Sequence, residues 1–140
     1  MSISVAEYRA SKRLQGPYGH VKDGYREDIG IYVRSSMEAN FCRYLNWLKA
    51  RGEIEHWEYE PRTFWFLTIK RGVRSYKPDF RVREKGKDYY IEVKGFMDAK
   101  SKTKLKRMKG HYPEIDLRLV DTRQYRAIAD KVGRMIPGWE

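Results

Sequence analysis

The stretch from Tyr76 to Gly95 constrains this chain more than any other. Apolar residues alternate at Phe80 and Val82, then again at Tyr89, Ile91 and Val93, with the polar run Glu84-Lys85-Gly86-Lys87 between them. Alternation on both sides of a glycine-containing turn predicts a β-hairpin. If residues 84–87 form the loop, Arg83 faces Asp88, and Asp79 then falls across from Glu92. Directly opposed side chains have Cβ atoms about 4.5–5.5 Å apart, and like charges there oppose pairing. At an effective dielectric of ~20, two bare carboxylates that close repel by roughly 3 kcal/mol. A cation between them removes the conflict, and Mg²⁺ takes one or two carboxylates with water and phosphate oxygens around them. Lys94 lies two residues past Glu92 and projects from the same face of the strand. Two carboxylates and an ammonium beside a hard cation are the groups that phosphodiester hydrolysis uses.

The bare spacing also fits a hairpin whose charged face is merely solvated. The opposite face, however, is apolar throughout: Phe80, Val82, Tyr89, Ile91 and Val93. A register slip would turn that whole face out to water, so the carboxylate pairing follows from burying it. Gly95 ends the second strand beside the site, where a close backbone approach is expected.

A third carboxylate lies upstream. Met37, Phe41, Tyr44, Leu45 and Leu48 have helical spacing, and Gly52 marks the helix end. Ser35-x-x-Glu38 matches a capping box, in which Glu38 hydrogen-bonds the Ser35 amide. Glu38 also borders the stripe it forms with Phe41 and Leu45, which would turn it toward the sheet that the helix covers. On the sequence, both readings of Glu38 stand.

The order of Glu38, then Pro78-Asp79, then Glu92-Val93-Lys94 resembles the PD-(D/E)XK nuclease superfamily, and within it the phage endonuclease I-type Holliday junction resolvases. Arg34-Ser35-Ser36-Met37-Glu38 matches their R-S-x-x-E helix motif. Tyr76 to Phe80 matches Y-x-P-D-F, and Glu92 to Gly95 matches E-x-K-G. His111 to Arg118 resembles a downstream pattern of theirs, with Tyr112 as an extra residue. The resemblance spans roughly residues 33–120. It implies an α/β, restriction-endonuclease-like core, with a short mixed β-sheet flanked by helices, in an intertwined homodimer. It also implies that Asp79, Glu92 and the Val93 carbonyl oxygen bind metal. Glu38 would hold a second ion or its water, and Lys94 would position the attacking water. Mg²⁺ is the implied cofactor, with Mn²⁺ also supporting activity, and branched DNA the implied substrate. A sequence-specific homing, mismatch or restriction nuclease of the same superfamily would share every one of these residues. Outside enzymes, the alternative is a basic nucleic-acid-binding module whose carboxylates are structural.

Charge agrees with a polyanionic partner: 30 Lys and Arg against 19 Asp and Glu give a net +11. Lys100, Lys102, Lys104, Lys106, Arg107 and Lys109 fall together without an intervening acid. Ser101, Leu105, Met108 and Tyr112 form a narrow stripe through them, and Asp98 is a natural N-cap. Such a run is commonly a solvated helix face. Directly after the hairpin it is read, with Arg34, as a phosphate-gripping surface that supplies affinity but little base recognition.

A length of 140 residues gives one nuclease domain over 31–136, with a basic arm at 1–30 and a tail at 137–140. Within the arm, Ser4 to Leu14 suits a short helix and Gln15 to Gly30 reads as irregular, with Tyr18 and Tyr25 available to stack on bases. No apolar run is long enough to span a membrane, and the start resembles no signal peptide. Cys42 stands alone as a small core residue, without a disulfide framework or zinc set. The expectation is a cytoplasmic protein, in a cell or in a phage-infected host, with neither a membrane partner nor a small-molecule cofactor.

Ile54 to Glu60 and Thr63 to Lys70 read as strands. Phe64, Trp65, Phe66 and Leu67 put large apolar side chains on both faces, as in a strand covered twice. The second cover is either this domain or another subunit, and the resemblance implies the subunit. Farther on, His111 is a structural residue at a helix end, and Ile115 to Val120 forms a strand. Thr122 caps a closing helix with Tyr125, Ile128, Ala129 and Val132 inward.

Overall fold

The computed structural model describes residues 23–140; the expected helix at Ser4 to Leu14 and the stacking role of Tyr18 lie outside the described residues. In chain order the elements are β1 (Gly24–Arg26), β2 (Ile31–Val33), α1 (Ser36–Ala50), β3 (His56–Tyr59), β4 (Phe64–Trp65), β5 (Ser75–Tyr76), β6 (Phe80–Glu84), β7 (Lys87–Val93), α2 (Ala99–His111), β8 (Leu117–Val120) and α3 (Thr122–Val132). A 3-10 turn at Gly133–Met135 closes the set. The architecture is mixed α/β. Its main sheet has the order β3-β6-β7-β8, antiparallel except where β8 runs parallel to β7. Among the described residues, no helix is long and apolar enough to cross a membrane.

The hairpin β6–β7 has the expected register: Phe80 pairs with Ile91, Val82 with Tyr89 and Arg83 with Asp88. It closes more tightly than a four-residue loop, because Glu84 also pairs with Lys87. That leaves Lys85 and Gly86 as a two-residue turn, both at positive φ (52° and 74°), the conformation whose twist matches the flanking strands. Its apolar face (Phe80, Val82, Tyr89, Ile91, Val93) packs on Phe41, Cys42 and Leu45 of α1. Cys42 is fully buried, as expected of a small core residue. On the other face Tyr90 joins Phe64, Phe66, Tyr76 and Met108 in a second core beneath α2. The sheet is therefore sandwiched, with α1 on one side and α2 with the β4–β5 ribbon on the other.

Several expectations change. The stretch from Gln15 to Gly30, expected to be irregular, includes a strand among its described residues, since Gly24–Arg26 pairs with Ile31–Val33 as a hairpin. Thr63 to Lys70 contributes only the two residues of β4, and the described residues of this chain cover it on one face. Phe64 and Phe66 are buried, whereas Trp65 is 56% and Leu67 89% exposed. Thr122 does not cap α3. Asp121 does, accepting from Gln124 N while Gln124 returns a bond to the Asp121 amide; the Thr122 hydroxyl instead donates to the Gly95 carbonyl at 3.0 Å. Asp98 caps α2 as expected, and the His111 ring, at the end of that helix, packs 5.2 Å from Phe66.

The tail at 137–140 is a built strap. Glu140 accepts two 2.8 Å bonds from Arg26 and one of 2.9 Å from Arg43, both arginines being buried. The Asn40 side chain pairs with the Glu140 main chain in both directions, at 2.7 and 3.0 Å. Trp139 stacks on Tyr125. Gly138 has φ +81°, and an added Cβ would lie 2.7 Å from Asp28 Oδ2, so any other residue is strained there and must displace the Asp28 carboxylate.

Candidate active site

Asp79 immediately precedes β6, so the β6–β7 register carries it to the position opposite Glu92. It is 3% exposed. Its Oδ2 accepts from Val93 N at 2.8 Å, and its own carbonyl accepts from Glu60 N at 2.7 Å. Burial, then the charges of Glu92 and Glu38, push its carboxyl up to about 8. Glu92 is raised by burial as well, but hydrogen bonding from Tyr76 and the charges of Lys94, Lys104 and Arg34 work against that rise. Asp79 is the more enclosed of the two. Asp79, Glu92, Val93, Lys94, Glu38 and Arg34 all border one cleft of about 870 Å³. The Val93 side chain sits in the α1 core, so what this residue offers the cleft is main chain.

Glu38 belongs to the cleft and to the helix cap at once. Ser35 Oγ accepts from Glu38 N at 3.0 Å, which is half of a capping box. The return bond is displaced by one residue: Glu38 Oε2 accepts from Arg34 N at 3.0 Å, not from the Ser35 amide. The same oxygen accepts from the Tyr59 hydroxyl at 2.6 Å. Among the described residues, no three Asp, Glu, His or Cys side chains gather at one metal-sized point. Glu38 is near enough to Asp79 to be felt electrostatically, its charge helping to raise the Asp79 carboxyl.

Arg34 is turned inward to the carboxylates: its guanidinium lies 2.6 Å from Glu60, 3.5 Å from Asp79 and 3.7 Å from Glu38. The cationic run of α2 divides among its faces. Lys104 borders the carboxylate cleft, and with Lys100 and Arg107 it lines an adjoining groove. Arg107 is partly engaged already, donating to the Val73 carbonyl. Lys106 and Lys109 flank a different, apolar groove between α2 and β8. Lys102 is exposed. The six cations are therefore not one surface.

Gly95 answers its expectation only loosely, since a Cβ there would meet Thr122 Oγ1 at 3.5 Å, an ordinary contact. Sequence reasoning missed Tyr76 and Tyr59 as carboxylate partners, and Glu60. Tyr76 donates to Glu92 Oε2 at 2.7 Å, and burial holds its phenol far up, so it remains a donor. Tyr59 follows by pairing: it sits opposite Phe80, one step from Asp79. Glu60 adopts φ 46°, uncommon for a non-glycine residue and often found next to functional clefts.

The donors suit a small hard cation. They are two carboxylate oxygen donors from opposed strands plus main chain, with the anionic pair made costly by enclosure until a positive charge joins it. No family model matches the chain, and no curated protein matches it closely enough to count as a relative.

Proposed function

We propose that this chain is a Mg²⁺-dependent DNA endonuclease, cutting branched DNA as a structure-selective Holliday junction resolvase. The observation that carries this reading is the burial of Asp79 opposite Glu92, with Lys94, the residue after β7, bordering the same cleft. A fold that needed these carboxylates only for solubility would leave them in water. Asp79, Glu92 and the Val93 carbonyl would hold the ion. When bound, a divalent cation polarises the phosphoryl oxygen and supplies a nucleophilic hydroxide at neutral pH.

The other groups are this chain's own. Val93 N–H and Tyr76 O–H fix the two carboxylates by hydrogen bonds. Lys94 orients the attacking water and offsets the negative charge that builds on the phosphorane-like transition state. Glu38, braced by Tyr59, extends the carboxylate wall toward a second ion or its water. Arg34 lies where it can exchange a carboxylate for a phosphate. Lys100 and Lys104 grip the flanking backbone. Resolution of a four-way junction needs two symmetric cuts, so the reading includes a two-fold homodimer, for which Leu67, 89% exposed, is a candidate contact. The test is Mg²⁺-dependent cutting of a four-way junction by the wild-type chain and by Lys94→Ala. The variant should keep its DNA affinity and lose turnover by orders of magnitude.

A further inference from the structure

Four large apolar side chains stand exposed among the described residues: Trp65, Leu67, Phe96 and Met135. The two aromatic ones, Trp65 at 56% and Phe96 at 78%, both border the carboxylate cleft; the two aliphatic ones do not. A lone exposed apolar residue needs no explanation. Two aromatics at one cleft lined by charges of both signs are a different matter, and their settings are unlike a loose surface. Trp65 lies in β4, paired with Ser75, and its carbonyl accepts from the Tyr112 hydroxyl at 2.7 Å. Its neighbours Phe64 and Phe66 are buried in the second core, so the backbone beneath the indole is fixed. Phe96 sits in the short link between Lys94, whose amide donates to Val120, and Asp98, the N-cap of α2. Lys94 and Lys104 border the cleft with them.

We infer that Trp65 and Phe96 are a base-stacking pair, and that the preferred substrate carries unstacked bases next to the phosphate that is cut. The inference rests on the nucleic-acid reading of this cleft and narrows its substrate class. Inside a duplex each base is covered above and below by its neighbours, so an aromatic side chain reaches a base face without an unstacking cost only where stacking is already broken. Single strands, fork points and the centre of a branched junction offer such faces; a continuous duplex does not. Cations grip phosphate without regard to base, whereas aromatic rings read the presence of a base without regard to its identity. The occupant this predicts is a strand with free base faces.

The test uses the full chain in EDTA, so that nothing is cut. Fluorescence anisotropy compares a labelled twelve-nucleotide thymidine strand with an equally long strand of abasic sites, which keeps the phosphates and lacks the bases. Wild type should bind the thymidine strand about tenfold to a hundredfold more tightly. Trp65→Ala/Phe96→Ala should bind both strands alike, at the wild-type affinity for the abasic one. Phe96→Ala alone should lose part of the preference, and Trp65→Tyr/Phe96→Tyr should recover most of it. Equal wild-type affinity for the two strands overturns the inference. So does a double variant that weakens both equally, or one that turns a dimer into a monomer in sedimentation, which would make these rings a subunit contact. The nuclease reading fails separately. A chain that prefers bases yet cuts nothing with Mg²⁺ keeps the stack and loses the nuclease; a chain that cuts yet ignores bases does the reverse.

Discussion

Replacing Asp79 by Asn should make the protein more stable when divalent cations are chelated, while abolishing cleavage. The wild-type carboxyl, ordinarily near 3.8, is pushed up to about 8 by burial and by the charges of Glu92 and Glu38. A folded-state value above the unfolded one favours folding fully only below pH 3.8, and that advantage fades as pH rises through 8. At pH 7, ionising this group opposes folding by up to about 4 kcal/mol. Asn keeps the acceptor for Val93 N–H and the side-chain volume. The Val93 amide and Arg34, 3.5 Å away, already lower the carboxyl within that value, and imperfect replacement of the carboxyl by an amide takes back part of the gain. The expected net gain is about 2 kcal/mol, or a rise in melting temperature of roughly 6 °C for a chain of this size. Calorimetry in EDTA at pH 7 reads it directly. Adding Mg²⁺ should raise the melting temperature of wild type and leave Asp79→Asn nearly unchanged, because ligand binding stabilises only the chain that binds. An Asp79→Asn protein that melts below wild type in EDTA would refute the claim that this carboxylate is held against its preference.

The cationic helix should divide by face: Lys104→Ala should flatten the plot of log affinity against log salt by about 0.9, whereas Lys106→Ala should leave the slope alone. Tyr76→Phe keeps the ring in its core and removes the donor to Glu92; cleavage should slow about tenfold, and the rising limb of the pH–rate profile should move to higher pH, since this hydrogen bond works against the raised Glu92 value. The strap should matter to stability alone. Glu140→Gln should cost about 2 kcal/mol in urea unfolding with cleavage unchanged, and Gly138→Ala should destabilise as well. Against burial, hydrogen bonds from Arg26, Ser36 and Arg43 hold Glu140 down at about 2 from an ordinary 4.5. Its contribution should thus be complete above pH 4.5 and disappear as pH falls toward 2, an acid sensitivity that Glu140→Gln lacks.

The hairpin was legible because one apolar face and one turn determine register without further context. Given Phe80 opposite Ile91, the opposition of Asp79 to Glu92 requires nothing else. The caps at Ser35 and Asp98 were legible for a similar reason, being local bonds between a side chain and an amide three residues on. Asp121 was passed over for Thr122, an error of one position between two residue types that both cap well. What could not be read depended on long-range packing. Tyr76 meets Glu92 only because the β4–β5 ribbon folds over the sheet. Arg26 and Asn40 meet Glu140 across 114 and 100 residues. The apolar run at Phe64 to Leu67 looked two-sided because composition alone does not say which face finds a partner. The α2 cations looked like one surface because linear proximity hides the turn of the helix, which sends Lys104 and Lys106 to different grooves.

The most direct test is a gel that presents a four-way junction, a nicked duplex and a linear duplex to the wild-type chain, with Mg²⁺ or with EDTA, beside Asp79→Asn and Glu92→Gln. The account predicts paired, symmetric cuts in the junction with Mg²⁺ alone, little cutting of the linear duplex, and none by either variant, although both still bind. A folded wild-type protein that cuts no DNA with Mg²⁺ or Mn²⁺, or variants that cut within a few-fold of it, would contradict the account at its centre.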